Sequence, residues 1–122
     1  ERTVGYLKER EQFGSKIGTF QGLQHRAAQL FAEIEVSKSA VLAALQALDA
    51  NSEKRSVLAS MAKAKCSKVV RNATEEGVQM HGGIGMTDEF DIGFFMKRAA
   101  VCRQAYGEHP FHADRFAPLR GY

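Results

Sequence analysis

The chain has 122 residues, 44% hydrophobic and 25% charged, which is enough for one domain with its own core and excludes a disordered or membrane-dominated chain. The net charge of +3 is thinly spread, and its one concentration, Lys63, Lys65, Lys68 and Arg71, reads as a solvated helix face rather than a nucleic-acid-binding stripe. Cys66 and Cys102 match no metal or redox spacing and read as free thiols of a reducing compartment.

Residues 1–10 (ERTVGYLKER) place Val4, Tyr6 and Leu7 at helical spacing with no capping residue ahead of them. The expectation is a helix already in progress, with a further domain upstream. Arg10, Phe13 and Gly14 then mark a helix-to-helix turn. Over 20–48, Phe20, Leu23, Ala27, Leu30, Ile34, Ser37, Val41, Ala44 and Leu48 follow alternating steps of three and four, one face of a helix of about eight turns. Thr19 is the expected N-cap, and Asp49-Ala-Asn-Ser ends the run. A helix of this length with one narrow stripe calls for antiparallel partners.

A second long helix is expected over about 53–80, with Leu58, Ala62, Cys66, Val69, Ala73, Gly77 and Met80 inward. Gly82, Gly83 and Gly85 break it. Asp88 is the expected cap of a third helix reaching about 105. A short last helix follows, with Pro110 in its first turn and Pro118 at its end. No alternating strand pattern occurs. The reading is all-α: a four-helix up-and-down bundle with a short additional C-terminal helix, one domain over 1–122. No run is long or apolar enough for a membrane span.

Acidic residues three positions ahead of a histidine, the signature of a carboxylate-bridged metal pair in a bundle, do not occur. His109 and His112, with Asp114 nearby, read as packing or exposed histidines, so no metal is expected. Two segments carry more. An arginine beside an aromatic and a glycine, at 10–14, offers a guanidinium to a phosphate and a ring to a ring system. The glycines of 79–85 let backbone amides approach a ligand.

On these residues the chain resembles the C-terminal domain of acyl-CoA dehydrogenases: REQFGSKIGTFQ at 10–21, QMHGGIG at 79–85, and Glu89-Phe90, in that order over nearly the whole length. The resemblance implies a four-helix bundle that binds FAD, in a dimer or tetramer where the bundle of one subunit completes the cofactor site of its neighbour. It implies that Arg10 meets the FAD pyrophosphate, Phe13 packs near the cofactor, and Gln21 lies by the adenosine. Gln79 would meet the dinucleotide through its side chain and Gly83 through its backbone. It further implies an acyl-CoA substrate, an electron-transfer flavoprotein as acceptor, and a cytoplasmic setting in a bacterium or the mitochondrial matrix in a eukaryote.

The family's reaction removes the α proton of the thioester with a carboxylate. At the position where many members carry that glutamate this chain has Tyr106, or Gly107 after a one-residue shift, and Glu108 comes one or two residues late. Three explanations stay open: a base on an earlier helix upstream of Glu1, a non-catalytic subunit of a heteromeric enzyme, or Glu108 in a shifted register. A stand-alone helical interaction module is the reading from outside the enzyme class.

Overall fold

The computed structural model describes residues 1–121. Five helices account for most of them: α1 (Arg2–Glu9), α2 (Gln21–Asp49), α3 (Arg55–His81), α4 (Ile92–Gln104) and α5 (His109–Leu119). The all-α bundle with a short last helix is the observed architecture. It also contains a minimal hairpin, β1 (Glu11–Gln12) with β2 (Ser15–Lys16), pairing Glu11 with Lys16 and Gln12 with Ser15. Its tip is Phe13-Gly14, both at positive φ (54° and 75°), as a two-residue turn between antiparallel strands requires.

Contacts along α3 set the direction of each neighbour. Arg26 pairs with Glu76 at 2.5 Å and Glu33 with Lys65, so α2 runs antiparallel to α3. Lys63 Nζ donates to the Cys102 and Arg103 carbonyls at 2.8 and 3.3 Å, capping the antiparallel α4 at its C-terminal end. Ring Nδ1 of His109 donates to the Ala64 carbonyl at 3.0 Å, which docks the start of α5 on α3 at the same level. At the other end Leu7, Ile17 and Met80 form a buried cluster, with Tyr6, Leu23, Ala27 and Leu30 packed on it.

The long stripe of α2 needs correction. Leu23, Ala27 and Leu30 meet the cluster, but the buried positions further on are Ser37, Ala40 and Ala47. Ile34, Val41 and Leu48 remain exposed, and Ile34 and Val41 line an open apolar groove with Leu42, Leu45, Val69 and Val70. The short α1 covers only one end of the trough between α2 and α3. Periodicity reports which face is apolar, not which neighbour is present to cover it.

Two caps also differ. Phe20, not Thr19, flanks α2; the Thr19 hydroxyl donates to the Lys16 carbonyl at 2.7 Å and closes the 3-10 turn Ile17–Thr19 instead. Asp91, not Asp88, precedes α4, and its carboxylate pairs with Arg2 rather than capping a helix amide. Pro110 lies in the first turn of α5 as expected, and the helix runs one residue past Pro118. Among the described residues no helix is long and apolar enough to cross a membrane.

Candidate functional site

Arg10 sits where α1 gives way to the hairpin. Its amide donates to the Tyr6 carbonyl at 2.9 Å and its carbonyl accepts from Ile17 at 2.9 Å, so both ends of the residue are pinned while the side chain is exposed. No ion pair engages its guanidinium among the described residues. Phe13, at the hairpin tip, is 93% exposed and touches Phe20 edge-on at a centroid distance of 6.3 Å. An aromatic held almost wholly in solvent, in a backbone region that disfavours bulky side chains, is a feature packing alone does not explain. Gln21 opens α2 on the same end of the bundle and is exposed.

The α3 terminus supplies the other half. Gln79 is exposed in the last turn, and its carbonyl accepts the Gly82 amide. Gly82 and Gly83 lead into the 3-10 turn Gly82–Met86, and nothing lies within 4 Å of where a Cβ would stand on either. That open backbone is a cradle a planar or phosphorylated ligand can approach closely. The structure therefore brings Arg10, Phe13, Gln21, Gln79 and Gly83 to one end of the molecule, through the shared Leu7–Ile17–Met80 cluster. The donor set suits a dinucleotide: one exposed guanidinium for a diphosphate, two amide side chains, one exposed ring and open backbone.

Tyr6, His81 and Phe90 also belong here and were not singled out as functional from the residues alone. The His81 ring is buried and stacked on Tyr6 with centroids 4.3 Å apart, and its Nδ1 donates to the Gly77 carbonyl at 2.7 Å. The hints in the sequence were the placement of His81 directly ahead of the glycines and of Phe90 in the Glu89-Phe90 pair, neither of which pointed to a stack with Tyr6.

The α4–α5 turn is a separate place. His109 anchors it at Ala64, fifteen residues of α3 from Gln79, about 22 Å along the helix axis. Tyr106 has φ 61° and is 95% exposed, and its carbonyl accepts from His112 Nε2 at 2.8 Å. Gly107 has φ 98°, and a Cβ on it would stand 2.6 Å from Phe111 Cδ1 and 3.2 Å from His112 Nε2. Gly107 has no room for a side chain in this turn as built, and the other alignment of the base position falls on the exposed Tyr106, which is not a carboxylate. Glu108 leads into α5, half-buried, with its carboxylate 3.7 Å from Arg103 and beside Lys68 and Arg71. His109 and His112 are both engaged with backbone carbonyls.

Other titratable groups serve the bundle. Lys65, hydrogen-bonded to Glu33 across α2 and α3, holds the Glu33 carboxyl below its usual range, and burial pushes the Cys66 thiol up.

Comparison with known proteins bears directly on this arrangement. Residues 1–117 match the family model described as acyl-CoA dehydrogenase, C-terminal domain. The chain is 38% identical over 105 residues to acyl-CoA dehydrogenase IpdE2 of Mycolicibacterium smegmatis, covering 86% of this chain and 32% of that protein. To the mitochondrial short/branched chain specific acyl-CoA dehydrogenase of Rattus norvegicus it is 34% identical over 101 residues, covering 81% of this chain and 23% of that one. Among solved structures it superposes on a steroid ACAD, Tcur3481-Tcur3483, with a TM-score of 0.92 at 29% identity, over 98% of this chain and 33% of that one. The chain spans about a third of the length of the curated relatives it matches.

Proposed function

The chain belongs to the acyl-CoA dehydrogenase family, and from that premise we propose that it is the C-terminal helical domain of an FAD-dependent enzyme that introduces an α,β double bond into an acyl-CoA thioester. The observation that carries this reading is the convergence of Arg10, Phe13, Gln21, Gln79 and Gly83 on one end of the bundle, all with exposed side chains or backbone.

Bound FAD would supply the hydride acceptor. The chain's own residues bind and orient. Arg10 neutralises the diphosphate, and its pinned backbone lowers the ordering cost of doing so. Phe13 offers its ring face, Gln21 and Gln79 offer amides that both donate and accept, and Gly83 admits the ligand to the backbone. A carboxylate for the α proton is not available at Tyr106 or Gly107. Glu108 is the candidate within the chain, and it must leave Arg103 to serve. Glu108→Gln in the full-length flavoprotein tests this: dehydrogenation lost with FAD retained assigns the base to Glu108, and unchanged turnover assigns it elsewhere.

The strip for the dinucleotide and the turn for the base are about 22 Å apart along α3. That separation favours a dimer or tetramer in which the two serve different cofactors. The whole protein would act on an acyl-CoA and pass electrons to an electron-transfer flavoprotein, in the bacterial cytoplasm or the mitochondrial matrix. A second reading, a non-catalytic subunit of a heteromeric enzyme, is favoured by one observation: neither Tyr106 nor Gly107, the two alignments of the base position, is a carboxylate, and at Gly107 (φ 98°) Phe111 closes the space a side chain would need.

The test of the main reading is Arg10→Ala in the full-length protein. Losing a charge-assisted hydrogen-bond partner of about 1.5–3 kcal/mol should weaken FAD binding by roughly 10- to 150-fold. Unchanged flavin affinity would remove Arg10 from the site.

A further inference from the structure

Three side chains outside the proposed contact set join its two halves. Tyr6 of α1, His81 at the end of α3, and Phe90 ahead of α4 form one aromatic cluster. Phe90 meets the stacked Tyr6 and His81 rings edge-on, at 5.7 and 5.8 Å. The Tyr6 hydroxyl donates to the His81 carbonyl at 3.3 Å. A carbonyl only accepts, so Nδ1 of His81 carries the proton it gives to Gly77, and that bond sets the tilt of the ring.

The sequence positions on either side matter. Tyr6 lies one helical turn before Arg10 and accepts the Arg10 amide. His81 is followed immediately by Gly82 and Gly83. One buried ring, 6% exposed, thus stands between the turn that aims the guanidinium and the turn that presents open backbone. A polar ring in such a place costs free energy unless it is bonded. What it offers beyond a phenyl ring is the N–H that stops the stack from sliding.

We propose that His81 is a positioning residue for the dinucleotide site, holding the Gly82-Gly83 turn in register with Arg10 through its stack on Tyr6. The inference rests on the reading above that Arg10 and Gly83 meet FAD. It concerns how the two are kept at a matched spacing, and His81 itself need not touch the cofactor.

The experiment is a double-mutant cycle on FAD affinity, measured with the apo form of the full-length protein. Variants are Arg10→Ala, His81→Ala, both together, and His81→Phe, each with its apo unfolding midpoint. His81→Ala should weaken FAD binding about tenfold or more, and His81→Phe, which keeps the ring, should recover a large part of that. In the Arg10→Ala background, His81→Ala should cost no more than about threefold, because the group it positions is gone. Should His81→Ala not fold, His81→Leu, which fills the volume but can neither stack nor donate, carries the same cycle. FAD affinity within about twofold of wild type in folded His81→Ala or His81→Leu would overturn the proposal. So would strictly additive losses, which mark general loosening. Wild-type affinity in Arg10→Ala alone would instead strike the FAD reading beneath it, and the proposal with it.

Discussion

Gly107→Ala is the substitution whose cost the structure defines most closely. Two terms add. At φ 98° an L-residue is outside its comfortable range, at a cost of about 1–2 kcal/mol. The new methyl would also stand 2.6 Å from Phe111 Cδ1, and forcing extra volume against packed neighbours costs about 1–3 kcal/mol. The sum, about 2–5 kcal/mol, is a large part of the stability of a small domain. Urea unfolding of the chain at neutral pH should show the midpoint falling by about 1–3 M with an unchanged slope. Phe111 is 57% exposed and can be removed at small cost. The double variant with Phe111→Ala should therefore recover the steric part and leave the backbone part. A loss below about 0.5 kcal/mol in Gly107→Ala, or no relief from Phe111→Ala, would refute the reasoning. The same barrier would then no longer stand against a carboxylate at this position.

Two further outcomes follow from the bundle. The Glu33 carboxyl is held below its usual 4.5 by Lys65, so it contributes stability that is present above that value and is lost as pH falls through the lowered one. Acidification from neutral pH should therefore lower the unfolding midpoint of wild type more than that of Glu33→Gln; equal pH dependence in the two would contradict it. The exposed groove along α2 predicts self-association of the isolated chain, and Val41→Asp with Leu45→Asp should shift its sedimentation toward monomer without lowering its helical circular dichroism. An unchanged distribution would show that the groove is not the sticky face.

Much of the architecture was legible because long helices leave long patterns. The stripe over 20–48 located α2 to within a residue at each end, and the three glycines after His81 marked the end of α3. The hairpin at Glu11–Gln12 and Ser15–Lys16 was invisible, since two-residue strands are too short to alternate and nothing in Phe13 announces a positive φ. The caps at Thr19 and Asp88 went astray for a related reason. Several polar residues lie ahead of each helix, and only the backbone path decides which one flanks it. Burial along α2 misled differently, because Ile34, Val41 and Leu48 form an apolar face that this chain alone does not cover.

At the site, Arg10, Gln79 and Gly83 were picked out by the family resemblance, because an arginine or a glycine turn alone more often serves an ion pair or a plain helix connection. The His81–Tyr6–Phe90 cluster was not. Tyr6 and His81 are 75 residues apart, and no local pattern reports a stack between distant helices. The Tyr106–Gly107 departure was visible only against the family resemblance, and the left-handed turn there, closed at Gly107 by Phe111, needed coordinates.

The central claim is that FAD lies across the Arg10 hairpin and the Gly82-Gly83 turn. Hydrogen–deuterium exchange on the full-length protein, apo against FAD-loaded, tests it most directly. The account predicts slowed exchange at the amides of 10–21 and 79–85, with little change along the α2 groove over 34–45. Unchanged exchange at 10–21 and 79–85, in a protein that demonstrably retains flavin, would contradict it.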